Sequence, residues 1–339
     1  NTTVNGGTLR IVNYTDAFSV TRNYTVNSGS RLEFLSSASG SNRDVLNGSI
    51  FTFDGNGGGV INFDAGTHII NPGSSITFNS NGGAQNLITS SNNGVIGPQG
   101  TGAGLPGGNL NFNVASGSNS TADLVFSAGF ASTQFGQVTM NGTGKVLLNS
   151  APSAGWALIT INGGTLEFGG SSQSILLNAI NNNGTFSWNT TTNYTIGVII
   201  TGTGNLTKNG TTTLTLSGAN SYTGTTTVNA GTLAISNNMT IGAITGGGNL
   251  SLGTGFTLTS NSSSSTTFSG NISGSGALTK AGTGTLTLNG TNALSGGVTL
   301  NAGGLALNSA AALGTSTLTI NAGSIDSTVA GVTLNNNAQ

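Results

Sequence analysis

The chain has 339 residues, of which only 4% are charged, with a net charge of −1 and no cysteine. So weak a field draws neither nucleic acid nor an anionic membrane, and without thiols there is no disulfide framework or thiolate metal site. Gly, Asn, Thr and Ser make up more than half of the residues, a bias that would suggest disorder were it not broken by regular leucine and β-branched positions.

The first predicted element is Val4-Asn-Gly-Gly-Thr-Leu-Arg-Ile11, and close or loose copies of it return along the chain. Val26-Asn-Ser-Gly-Ser30 and Ile70-Asn-Pro-Gly-Ser74 come next, followed by Ile161-Asn-Gly-Gly-Thr-Leu-Glu-Phe168 and Val228-Asn-Ala-Gly-Thr-Leu-Ala-Ile235. Leu300-Asn-Ala-Gly-Gly-Leu-Ala-Leu307 and Ile320-Asn-Ala-Gly-Ser-Ile325 close the series. The motif asparagines are Asn5, Asn27, Asn71, Asn162, Asn229, Asn301 and Asn321. Read as whole turns of one period, their spacing averages about 22.6 residues, and a fixed period in this range marks a solenoid. The expectation is an all-β protein, a right-handed parallel β-helix of about fifteen coils with no significant helix. One continuous solenoid is expected over residues 1–339, more charged in its coils over 1–70.

Strand signals fill the intervals. In Thr213-Leu-Thr-Leu216 and Thr285-Leu-Thr-Leu288 polar and apolar residues alternate with period two, so one side is buried and the other wet. Asn-Gly, Ala-Gly and Gly-Gly pairs between strands supply the positive φ angles of tight corners. The motif asparagines are expected along one edge, hydrogen-bonding up the stack as an amide ladder. Charge inside the motif falls at the outward positions Arg10, Glu167 and Asp326. The clearest duplication is gapless: residues 202–236 align with 274–308 at an offset of 72, Lys208 matching Lys280, and 136–169 is a degenerate third copy with Met140 at the lysine position. Three coils per duplicated unit is the natural expectation.

The run Gly202-Thr-Gly-Asn-Leu-Thr-Lys208, continuing through Thr213 to Gly224 and on to Val228-Asn-Ala-Gly-Thr-Leu233, resembles the autotransporter-associated β-strand repeat. The resemblance implies export, a β-helix and a cell-surface location in a Gram-negative-type bacterium. It implies no activity, since the repeat is scaffold in that family as well. The chain departs from an intact autotransporter in having no C-terminal run of alternating ten-residue strands for a membrane barrel. It begins at Asn1 rather than Met, which suggests a removed leader.

Chemistry-bearing residues are few. Asp54, Asp64 and His68 would in principle give a polysaccharide hydrolase or lyase an acid and a base, but outward or loop positions account for them without catalysis. Asp54 to Asp64 resembles a calcium-binding Gly/Asp repeat in one copy only. The expectation is no enzyme, no metal and no cofactor. Threonine triplets at 211/213/215 and 283/285/287 suggest a water-ordering, ice-binding face, yet they do not continue through coils such as 161–168, and β-propensity explains them. Tyr14, Tyr24, Tyr194, Tyr222 and Trp188 are candidates for a sugar-binding strip or for packing between coils.

Two functions follow as expectations. The first is a structural subunit stacking head to tail into a fibre or sheath, with the chain itself as partner. A second copy placed after Gln339 would bring its Asn5 to position 344 (339 + 5), 23 residues beyond Asn321 and close to the period. The second is the passenger of an adhesin that binds surface glycans or proteins.

Overall fold

The computed structural model describes residues 1–12, 23–35, 43–45, 48–53, 57–64, 67–70, 75–81, 83–91, 95–98, 109–117, 122–127, 129–130, 135–149, 156–171 and 178–330. Among them there is no helix. The described residues form 39 short strands that pair in parallel across successive turns. The all-β solenoid class is therefore as expected. The strands amount to about 12 turns, somewhat fewer than the fifteen that a uniform period implied. That period is not uniform: stacked asparagines are 34, 28 and 21 residues apart in one stretch and 20 in another.

Residues fall into two compact units, Asn1–Thr185 and Phe186–Gln339. In the first, one face stacks strands from Thr2–Val4 to Ala179–Asn182, and a second stacks strands from Thr8–Val12 to Thr165–Gly170. A third face holds four strands, Arg43–Val45, Thr67–Ile70, Val95–Pro98 and Gly129–Phe130. In-register pairing places each inward side chain on its equivalent one turn away, so the core is a set of columns. Tyr24, Phe51, Phe78 and Phe112 form one column, with ring centroids 5.3, 5.3 and 5.7 Å apart and planes within 18° of parallel. Phe34 and Phe63 stack at 5.4 Å on the adjoining face and meet that column edge-on. Aromatic pairs in both arrangements add to their burial energy. Tyr24 is thus core rather than a sugar platform, as are Trp188 and Tyr222 in the second unit; Tyr14 lies outside the described residues.

The second unit has three faces. One runs through Asn205–Lys208, Thr226–Val228 and Ile244–Thr245, and the bridge Gly246–Phe268 carries it on through Thr285–Leu288 to Ser324–Asp326. Another includes Thr213–Leu216, Thr232–Ile235 and Ile272–Gly274. The third stacks Met239–Ile241, Thr257–Ser260, Ala277–Lys280, Val298–Leu300 and Leu318–Ile320. Its core is mostly aliphatic, with Leu206, Leu214, Leu216, Leu250 and Leu278 fully buried.

These faces explain the duplication. From Lys208 the chain passes Val228, Gly246 and Phe268 on one face, completing three turns, and then crosses two more faces before reaching Lys280. The 72-residue offset therefore spans three turns plus two faces, and not three whole coils. Copies of one sequence sit on different faces because each side of the coil makes the same demand: a three- or four-residue strand with inward apolar ends, followed by a corner. At those corners Gly231 and Gly303 take φ of 64° and 74°, and a Cβ there would lie 2.3 and 2.4 Å from a carbonyl oxygen of the preceding turn.

Two substitutions test this architecture. Phe51→Ala removes the middle of an aromatic stack and should cost about 3–5 kcal/mol in denaturant unfolding. Leu216→Asp puts an unpaired carboxylate into an apolar column and should cost several kcal/mol. A melting temperature unchanged by either would place that side chain outside the core.

Candidate functional site

The polar chemistry of the chain gathers at corners and on outward strand positions. Asn27 donates through Nδ2 to Asn5 Oδ1 at 2.5 Å. A longer ladder links Asn162 to Asn141 at 2.8 Å, Asn141 to Asn113 at 2.9 Å and Asn113 to Asn79 at 2.8 Å, and ends on Thr52 Oγ1. In the second unit Asn229 donates to Asn209 at 2.7 Å and Asn321 to Asn301 at 2.7 Å. Within these ladders each asparagine donates toward the preceding turn. Asn71 lies outside the described residues.

Amide stacking is thus present, but as separate ladders and not along one edge. Register is the reason. Val4 aligns through Val26, Phe53, Ser80 and Val114 with Gly142, whereas Ile161 aligns with Met140, so Asn162 is displaced by two residues from the column of Asn5 and Asn27. Asn229 follows a strand of one face and Asn301 and Asn321 follow strands of another, as the offset of two faces requires. Asn79, Asn113, Asn141 and Asn209 belong to no recurring motif asparagine, so only the strand register reveals them.

Sequence reading put charge outward and missed the two lysines. Lys208 and Lys280 occupy inward positions and are 0% and 1% exposed. Each runs its stem along the core and delivers Nζ to the corner: Lys208 to Gly210 O and to Ala230 O at 3.4 Å, Lys280 to Gly282 O and to Ala302 O at 3.3 Å. One ammonium thus ties the carbonyls of two successive turns. Burial pulls both lysines below their ordinary pKa. The matching position in the first unit holds the buried Met140, whose Cε faces the Gly164 corner. A long unbranched chain is the shared requirement and the charge is optional.

Ionic pairs are confined to the first unit among the described residues. Glu33 accepts from Arg10 at 2.7 Å and from Arg31. The Arg10 hydrogen bond, aided by Arg31 and opposed by desolvation, holds its carboxyl below the usual range. Glu167, expected to be solvated, is 3% exposed and pairs with Lys145 at 3.0 Å. Asp123 accepts from Gly117 N and Lys145 N, both at 2.7 Å, and so serves as a corner clamp. Asp54 and the side chains of Asp64 and His68 lie outside the described residues. Among the described residues no three His, Asp or Glu side chains converge on a metal position, and no helix is long and apolar enough to cross a membrane.

Threonine ranks do continue, though not the predicted ones. Thr213 and Thr285 fall on different faces. Instead, Thr240, Thr259, Thr279, Thr299 and Thr319 align on one face, and Thr207, Thr227 and Thr245 on another, where Thr267 and Thr287 extend the row. The middle residue of each strand points outward, and it is Thr on turn after turn.

The model of the passenger-associated-transport-repeat matches residues 206–235 and 278–307, the same two stretches that carry the buried lysines. A curated relative, the adhesin BmaC autotransporter of Brucella suis biovar 1, is 37% identical over 93 residues. That stretch is 25% of this chain and 3% of the relative, so the chain spans only a small part of the protein it matches. No solved structure matches.

The buried lysines generate a pH signature. Between their depressed pKa and the ordinary 10.5 the unfolded chain binds more protons than the native one, so stability rises as pH rises through that window. Above about pH 10 buried Tyr222, pushed up by desolvation against its bond to Thr226, stays neutral while its unfolded counterpart ionises, so stability falls. Denaturation midpoints measured from pH 7 to 11 should peak near pH 10. The rising limb should vanish in the Lys208→Met, Lys280→Met double variant, which should remain folded because Met140 already fills that role. A flat profile in the unsubstituted chain would show that the ammonium groups stay hydrated.

Proposed function

We propose that this chain is a stretch of a non-enzymatic, surface-displayed adhesin passenger, exposed on a Gram-negative-type cell. The observation that carries the reading is a coincidence: the two stretches matched as passenger repeats are the two copies that structure one parallel solenoid, buried lysine for buried lysine. The relative bearing the word adhesin supports it. Physically, the fold suits display. Its stability comes from columns and ladders repeated each turn, and its outward strand positions are mostly small and uncharged, free to vary without cost to the core. Antibody against the chain should label intact, unpermeabilised cells of the source bacterium, and deleting the coding region should lower attachment to host cells or matrix. Labelling seen only after permeabilisation would overturn the reading.

A second reading, head-to-tail stacking into a fibre, has its own observation. Ile320 and Ile325 sit over the buried columns of Leu300 and Leu305 yet are 40% and 37% exposed, and in the first unit Leu9 and Ile11 are half-exposed over Leu32 and Phe34. Exposed apolar columns beside strand edges recruit further strands, and a contact between unlike surfaces does not close. Light scattering at micromolar concentration should show growth that Ile320→Lys with Ile325→Lys abolishes. A stable monomer of the unsubstituted chain would refute stacking and leave the passenger reading standing.

A further inference from the structure

The charge cluster on Glu33 is unbalanced. Arg10 donates through Nε at 2.7 Å to one carboxylate oxygen, and Arg31 donates through Nε to the other. One arginine in a bidentate fork is enough to neutralise a carboxylate. Here two arginines give one Nε–H each, so the cluster keeps one positive charge in excess (+2 against −1). The amino nitrogens Nη1 and Nη2 of both guanidinium groups have no protein partner among the described residues. They are also open to solvent: the Arg10 and Arg31 side chains are 64% and 39% exposed, whereas that of Glu33 is 11%.

Strand register sets these groups at three corners of a rectangle. Thr8 pairs with Arg31 and Arg10 with Glu33 on successive turns, and within each strand the two residues are two apart, on the same outward side. The corners therefore lie about 4.8 Å apart between turns and about 6.6 Å apart along the strand. Arg10 and Arg31 occupy one diagonal, Glu33 and Thr8 the other. Glu33 thus fills one side of the arginine pair, and the opposite side holds only the exposed Thr8 hydroxyl. In the next turn Val60 and Asn62 continue the two columns, and neither is charged. The Arg10 hydrogen bond, aided by Arg31 and opposed by desolvation, keeps Glu33 ionised, so both guanidinium groups stay anchored by Nε.

We infer that the Thr8 corner binds a tetrahedral oxyanion, a sulfate or phosphate ester, held between the Nη groups of Arg10 and Arg31 with the Thr8 hydroxyl as a further donor. The planar guanidinium fork matches the oxygens of such groups, and the ester's negative charge compensates the excess positive one. Fixing both arginines on Glu33 removes part of the ordering cost that free surface arginines carry on binding. The site is local: with a net charge of −1 the chain has no long-range field to draw it to an anionic membrane, so the ester is expected on a carbohydrate. This assignment rests on the passenger reading only for where such an ester would be met.

The test is titration of the intact chain, at fixed ionic strength, with glucose 6-sulfate and glucose 6-phosphate, followed by NMR shifts, with glucuronate as the carboxylate comparison. Saturable binding of at least one ester below about 10 mM is expected, with shifts centred on residues 8–10 and 31–33, and the tighter of the two identifies the ester. Thr8→Asp sets a carboxylate in the open corner and should abolish binding without lowering the melting temperature. Arg10→Lys with Arg31→Lys keeps both charges but lacks the forks, and should weaken binding about tenfold. Saturation by neither ester, unchanged binding in either variant, or glucuronate binding as tightly as the better ester would each overturn the proposal. Such a failure would leave cell-surface labelling untouched, and a failure of labelling would leave ester binding measurable in solution.

Discussion

Everything in this molecule depends on parallel, in-register stacking of one turn on the next at the ~4.8 Å spacing of hydrogen-bonded strands. That spacing forces like to lie on like. A phenyl ring stacks on a phenyl ring in the column from Tyr24 to Phe112, an amide stacks on an amide from Asn79 to Asn162, and a threonine follows a threonine from Thr240 to Thr319. Each column is favourable because its members are alike: flat rings offset-stack, and a primary amide presents both a donor and an acceptor to its neighbours. A carboxylate column would repel itself, which is a physical reason for so few charges in so long a chain.

Corners set the second constraint. Backbone groups there lie outside the strand ladders and must be satisfied otherwise. The Asp123 carboxylate accepts two backbone N–H groups and the inward lysines bridge carbonyls of adjoining turns, while asparagine ladders join the corners side chain to side chain. The lysine device is the least expected, because a buried ammonium is normally a liability. It is tolerable here since only the tip is polar, and that tip arrives where unpaired carbonyls already converge. Met140 shows the same geometry without charge, so the stem's length and packing are what each position requires.

How far function follows from this scaffold depends on departures from the repeat. The repeated strands are interchangeable among faces and carry no individuality. Differences arise where a connection is longer or shorter, as between residues 236–238 and 308–317, since the longer one lays a carbonyl, Ala312 O, over the neighbouring turn and the shorter one does not. Solenoid scaffolds place binding surfaces in this way, keeping the columns and varying what overlies them.

The fold class was legible in the sequence because period-two alternation and recurring Asn-Gly corners are local properties, decided by φ/ψ preference and by which side chains water rejects. The resemblance to passenger repeats was legible for the same reason, in the runs around Lys208 and Lys280. Residue spacing alone could not say which face a strand joins. The 72-residue offset divides into three turns plus two faces only once turn length is known, and turn length depends on how each corner packs on the one before. That is why the motif asparagines, expected along one edge, separate into several ladders. It is also why the threonine rows run through Thr240 and Thr207 and do not join Thr213 to Thr285. The inward lysines and the interior Tyr24, Trp188 and Tyr222 likewise appear only in three dimensions. Burial and hydrogen-bond partners are properties of the neighbouring turns, which lie some twenty residues away in the chain. Sequence determined what each strand and corner is; stacking decided what each one touches.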